Sequence, residues 1–214
     1  MKLGAGFLLS IFLLLGAGPT LAQVQLVERQ FADHAALLSA LRAGGYVLYW
    51  RHAATDHSQT DKTEVDFADC ATQRNLSAQG REQATAIGKA MVALAVGVDR
   101  IYSSPYCRCV DSAELAFGRL EVIADLEFSI ALDEATTERF AKTLRSMLAT
   151  PAKAGKNTVI VSHSGNLLEA VGIWPKPEGV MEIFYPLDDG RVAHYGRLLA
   201  EDWARLLAGA KGSR

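Results

Sequence analysis

Basic charge is scarce in this chain. Its 22 Lys and Arg are outnumbered by 24 Asp and Glu, for a formal net charge of −2. No basic run is visible either, which argues against a nucleic-acid binder with its usual basic face. Cysteine is scarcer still, with three residues, Cys70, Cys107 and Cys109. Their number and spacing fit no zinc-finger framework. There is no internal repeat, low-complexity tract or linker. With half of 214 residues hydrophobic, the simplest expectation is one globular domain with a sizeable core. A membrane-spanning run is also missing. The apolar stretch at residues 7–15 is broken by Gly16 and Gly18 and falls short of the ~20 residues needed to cross a bilayer.

That short stretch has another use. Lys2 precedes it, and Thr20-Leu21-Ala22 offers a small-x-small cleavage site before Gln23. Residues 1–22 therefore read as an export signal, leaving residues 23–214 as the mature domain. No cysteine stands at the cleavage point to carry a lipid, so no stable membrane insertion is expected after cleavage. The expected location is the periplasm or the exterior, where a disulfide can persist. Cys107 and Cys109 are too close for an easy bridge. Cys70 is expected to pair with one of them, leaving the other free.

Along the mature chain, residues 23–30 read as a leader. Phe31, Ala35, Leu38 and Leu41 have helical spacing, ended by Gly44-Gly45. Residues 46–50 read as a buried strand running into Arg51-His52. Residues 53–76 are polar and irregular. A helix capped by Ser77 follows, then a strand at 99–103. Pro105 suits the first turn of a helix that carries Arg108. A short strand near 121–124, a helix at 134–148, a strand at 158–162 and a short helix at 166–171 come next. The pattern closes with a hairpin around Asp188-Asp189-Gly190 and a helix through 203–207. Strands alternating with helices indicate an α/β fold, a largely parallel sheet covered on both faces.

Three strand ends carry chemistry: Arg51-His52, Ser103-Ser104-Pro105 with Arg108 just beyond, and Ser162-His163. Open α/β sheets place ligands outside the carboxyl ends of their strands. If these strands are neighbours, two arginines and two histidines face one another, with helix N-termini adding oriented N–H groups. So much potential positive charge calls for an anion. A phosphoryl group accepts bidentate Arg contacts, and a neutral imidazole can attack its phosphorus. Neighbouring guanidinium charges favour that neutral form.

On these residues the chain resembles the histidine phosphatase superfamily, with its phosphoglycerate-mutase-like fold. The family's Arg-His-Gly reads here as Arg51-His52-Ala53. Its second arginine after a Ser-Pro turn reads as Arg108, and its leucine-(Ser/Thr)-x-x-Gly segment as Leu76 to Gly80. Its second histidine reads as His163. The resemblance spans about residues 45–172 and implies a three-layer αβα sandwich with a mostly parallel central sheet. It implies that His52 is the nucleophile that becomes phosphorylated, and that Arg51, Arg108 and His163 bind the phosphoryl group. No cofactor and no metal are implied.

The chain departs from the pattern at three points. Ala53 replaces glycine. Ser164 follows His163 where the phytase-like branch has aspartate, and there is little room for that branch's helical insert, so a phytase is disfavoured. The leaving-group acid is open among Glu127, Asp133, Glu134 and Asp56. The expected activity is hydrolysis of a phosphomonoester outside the cytoplasm, on a phosphorylated small molecule or an envelope glycan such as a lipopolysaccharide core. A cytosolic type of mutase fits an export signal poorly. A family member that binds phosphorylated glycans or lipid headgroups without turnover is the alternative. A metal hydrolase built on His52, His57, His163 and Asp56 or Asp66 leaves both arginines unexplained.

Overall fold

The computed structural model describes residues 24–130 and 132–212. The expected signal segment, residues 1–22, lies outside the described residues. Seven strands form one sheet: β1 (Leu26–Glu28), β2 (Val47–Arg51), β3 (Val98–Ser103), β4 (Glu121–Val122), β5 (Asn157–Ser162), β6 (Met181–Pro186) and β7 (Val192–Leu198). Their order is β1-β7-β6-β2-β5-β3-β4. Strands β2, β5, β3 and β4 pair in parallel, as do β1 and β7, and β6 alone runs against its neighbours. The sheet is mostly parallel, as expected.

Side-chain alternation on the strands sorts the helices into two layers. Leu48, Trp50, Val159 and Val161 point to one face. There they meet Leu38 and Leu41 of α1 (His34–Ala43), Ile87 and Met91 of α2 (Ala78–Ala93), Ala113 of α3 (Cys107–Phe117) and Trp203 of α6 (Ala200–Gly212). Val47, Tyr49 and Ile160 point to the other face. They pack on Leu144 and Leu148 of α4 (Glu134–Leu148) and Leu167 of α5 (Ser164–Val171). The result is the expected three-layer αβα sandwich. Among the described residues, no helix is long and apolar enough to cross a membrane.

Local signals explain most boundaries. Asp33, Ser77 and Asp133 cap α1, α2 and α4, their side chains accepting from Ala36, Gly80 and Thr136 N–H. Two expectations need correction. The leader contains a strand, β1, which adds to the edge at β7. Pro105 lies outside the helix, because α3 begins at Cys107 with Tyr106 as its cap residue.

Candidate functional site

Register brings the three strand ends abreast. Arg51 stands beside Ser162, and Ser103 beside Val161. His52 N–H donates to the Ser162 carbonyl at 3.1 Å, and Ser104 N–H to the Val161 carbonyl at 2.9 Å. These bonds carry the alignment one residue past the sheet. The His52 and His163 rings meet edge to face with centroids 5.5 Å apart. Arg108, in the first turn of α3, comes close enough to both histidines to depress their pKa. The four expected site residues therefore gather at one edge of the sheet.

His52 is 3% exposed, and its Nδ1 lies 2.9 Å from the Ala53 carbonyl. A carbonyl only accepts, so the proton is on Nδ1 and the lone pair on Nε2. Burial, then the Arg108 charge, pushes the His52 pKa down to about 3. The neutral ring was expected from the guanidinium charges, but burial is the larger cause. His163 is driven down as well, by burial first and Arg108 second. Its Nε2 is 2.8 Å from Ser104 Oγ. Its carbonyl accepts the Tyr49 hydroxyl at 2.6 Å, and Tyr106 and Phe128 flank its ring.

Each guanidinium is anchored at one end. Arg51 donates to the Pro175 carbonyl at 3.1 Å and to Glu178 at 3.4 Å. Arg108 donates to Asp61 at 2.8 Å and to the Arg74 carbonyl at 3.3 Å, with its guanidinium 4.2 Å from the Tyr106 ring centroid. In both arginines the buried Nε–H has no partner among the described residues. A buried donor left unpaired is costly, and an oxyanion bound beside it would satisfy it.

Ala53 is fully buried, and its N–H donates to Ser112 Oγ at 3.0 Å. Its φ is not among the positive values of the described residues, so the missing glycine leaves no strain.

The four candidate acids separate clearly. Asp133 caps α4. Glu134 is exposed in the first turn of α4. Asp56 accepts from Ser58 in an exposed local turn. Glu127 is half-buried, and burial raises its pKa although Arg139 opposes this. It precedes Phe128, which packs against His163.

The residues of the metal-hydrolase reading do not all come together. Asp66 is engaged by Ala68 N–H and Asp56 by Ser58. His57 is 75% exposed, with Nε2 3.5 Å from Glu178. Among the described residues no three His, Cys, Asp or Glu side chains cluster to hold an ion.

Sequence reasoning missed Glu178. Its carboxylate accepts from Thr55 N–H at 2.8 Å, from the Thr55 hydroxyl and from Arg74. Burial pushes its pKa up, but the two Thr55 hydrogen bonds and the Arg51 charge help outweigh burial and leave it lowered. Gly179 follows with φ +86°, and its N–H reaches the Arg51 and His52 carbonyls. Only the glycine signalled this turn in the sequence. Cys70 bridges to Cys107, and Cys109 is the free cysteine.

Residues 47–140 match the family described as the histidine phosphatase superfamily (branch 1). No curated protein matches the chain by sequence. Among solved structures, the chain is similar to a putative alpha-ribazole-5'-phosphate phosphatase from Escherichia coli, with TM-score 0.54 and 15% identity. It is also similar to the protein histidine phosphatase SixA complexed with tungstate, with TM-score 0.53 and 12% identity. A phosphoserine phosphatase mutant from Entamoeba histolytica in complex with phosphoserine gives TM-score 0.52 and 13% identity. Each alignment covers 73% of this chain and 98% of the other.

Proposed function

We propose, from the match of residues 47–140 to the histidine phosphatase superfamily (branch 1), that the protein hydrolyses a phosphomonoester through a covalent phosphohistidine on His52. The observation that carries this reading is the hydrogen bond from His52 Nδ1–H to the Ala53 carbonyl, 2.9 Å long. It leaves the Nε2 lone pair free in a ring that burial keeps neutral.

In the first step Nε2 attacks phosphorus and the bond to the ester oxygen breaks. Arg51 and Arg108 hold the phosphoryl oxygens, with His163 beside them, and their charge offsets what builds up in the transition state. Glu127, whose pKa burial raises, is the acid proposed to give its proton to the leaving alkoxide. The positive charge that the ring gains on phosphorylation is stabilised by the Ala53 carbonyl. In the second step the Glu127 carboxylate takes a proton from water. The water oxygen attacks phosphorus, the P–N bond breaks with its electron pair returning to Nε2, and inorganic phosphate leaves.

The substrate is proposed to carry a face that stacks, such as a sugar of an envelope glycan. Two exposed aromatic rings support this. Phe67 packs on Tyr106, 5.3 Å between centroids, and Tyr106 lies against Arg108. Trp174 directly precedes Pro175, whose carbonyl anchors Arg51. A phosphorylated small molecule with the same face fits equally. The Cys70–Cys107 bridge supports a periplasmic or secreted protein, freed of residues 1–22 and without stable membrane insertion.

The non-catalytic alternative, binding of phosphorylated glycans or lipid headgroups without turnover, rested on Ala53 and a missing acid. An unstrained Ala53 and a half-buried Glu127 with a raised pKa favour turnover over that alternative.

The test is turnover of a generic aryl phosphate by wild type and His52→Ala, with an alkaline detergent quench of enzyme mixed with phosphorus-labelled ester to trap labelled phosphohistidine. A loss of more than about 10³-fold is expected for the variant, with label only on wild type. Equal rates would overturn the nucleophile assignment.

A further inference from the structure

The loop of residues 53–76 grips Arg108 from outside the sheet. Asp61 Oδ1 accepts from the Arg108 guanidinium at 2.8 Å and from Arg74 N–H at 2.8 Å. The Arg74 carbonyl takes a second bond from the same guanidinium nitrogen. Gln73 Oε1 accepts Cys107 N–H, the first N–H of α3, at 2.8 Å. Arg108 is 1% exposed, yet its anchors all come from a loop with little regular structure. One covalent bond ties that loop to α3, the Cys70–Cys107 disulfide. It joins the loop to the residue immediately before Arg108.

Building on the phosphatase reading, we propose that Asp61 is a positioning residue for Arg108, and that the Cys70–Cys107 bridge keeps it in place, so that phosphate affinity depends on the disulfide being intact. An arginine binds phosphate best through a fixed planar fork. Asp61 occupies one terminal nitrogen of Arg108, while the buried Nε–H has no partner among the described residues. The carboxylate therefore sets the plane of the guanidinium and leaves the Nε side for the phosphoryl oxygens. Without it the side chain regains rotamer freedom, which substrate binding must remove again.

Cys70 is exposed and Cys107 is buried, so an external dithiol attacks first at the Cys70 sulfur. The S–S bond breaks and Cys107 leaves as a thiolate. The second thiol of the reagent then displaces Cys70 from the mixed disulfide. Two electrons and two protons pass from the dithiol, which ends as a disulfide, to the two cysteines. Cys109 takes no part, since burial pushes its thiol up to about 12.

The readout is competitive inhibition by inorganic phosphate, measured on the full chain with an aryl phosphate as substrate. Wild type is compared oxidised and after dithiol treatment, beside Asp61→Asn, Asp61→Glu and Cys70→Ser. The inhibition constant is expected to rise about 10-fold or more in Asp61→Asn and in reduced wild type, with recovery in Asp61→Glu. Cys70→Ser should match reduced wild type and ignore the dithiol. A purely structural role would lower the melting temperature and leave phosphate affinity in the folded protein unchanged. Unchanged or tighter phosphate binding by Asp61→Asn or by reduced wild type overturns the proposal while the phosphatase reading stands. Oxidised wild type that neither turns over the ester nor binds phosphate overturns both.

Discussion

His52 and His163 are buried with pKa values pushed below the ordinary 6.5. Their folded pKa lies below the unfolded one, so folding favours the neutral ring. That contribution is complete above about pH 6.5 and is lost as pH falls toward about 3 for His52, at about 1.4 kcal/mol per pH unit per group. His194 runs the other way. Burial opposes its charge, but hydrogen bonds to Glu182 and Glu28 outweigh burial and raise its pKa. Its contribution is present below about pH 6.5 and lost as pH rises through the folded value. Between pH 6.5 and pH 4 the His194 contribution is constant and the two buried rings set the slope, so the melting temperature should fall steadily over that range. Calorimetry across that range checks this, and His52→Asn should flatten the slope. For Glu127, the raised pKa predicts rates that decline as pH rises through it. Glu127→Gln should lower kcat about 10²–10⁴-fold on an alkyl phosphate and far less on an aryl phosphate, whose leaving group needs no proton. Initial rates on the two esters decide it. In the sequence, Glu127 stood level with three rivals, because helix capping and local turns are decided by which N–H lies nearby.

At the scale of elements, α2 is held against the site by contact too close for a side chain. A Cβ on Gly80 would lie 1.8 Å from the Ala54 carbonyl oxygen. That oxygen also accepts Ser77 N–H, so it cannot retreat without losing the start of α2. Gly80→Ala should cost about 1–3 kcal/mol and reduce activity, since Ala54 lies two residues from His52. Urea unfolding beside turnover tests both. The helices were legible because cap and periodicity coincide in them: Asp133 and the Phe140, Leu144 stripe mark α4 at both ends. The strand β1 was not legible. Three residues carry no alternation, and their strand state depends on the open edge of β7, including the contact of Glu28 with His194.

The whole molecule adds connections between distant parts of the chain. The Cys70–Cys107 bridge spans a separation of 37 residues, and closing such a loop restricts the unfolded chain by about 3–5 kcal/mol. Unfolding by guanidinium with and without a dithiol should show a loss of that order, separable from the phosphate affinity of the folded protein. Glu178 lies 127 residues from Arg51, and nothing in its own surroundings, Lys176-Pro177-Glu178-Gly179, announces a site carboxylate. It reaches Arg51 and Thr55 only because β6 runs antiparallel beside β2, so that the turn entering β6 crosses the end of β2. By itself the sequence determined the layers, the strand ends and the four residues gathered there, because periodicity, caps and strand-end placement are local. It left open which cysteine closes the bridge, which carboxylate is half-buried, and that Asp61 and Glu178 hold the two arginines. Only the tertiary structure decided these, because each depends on burial and on distance between segments far apart in the chain.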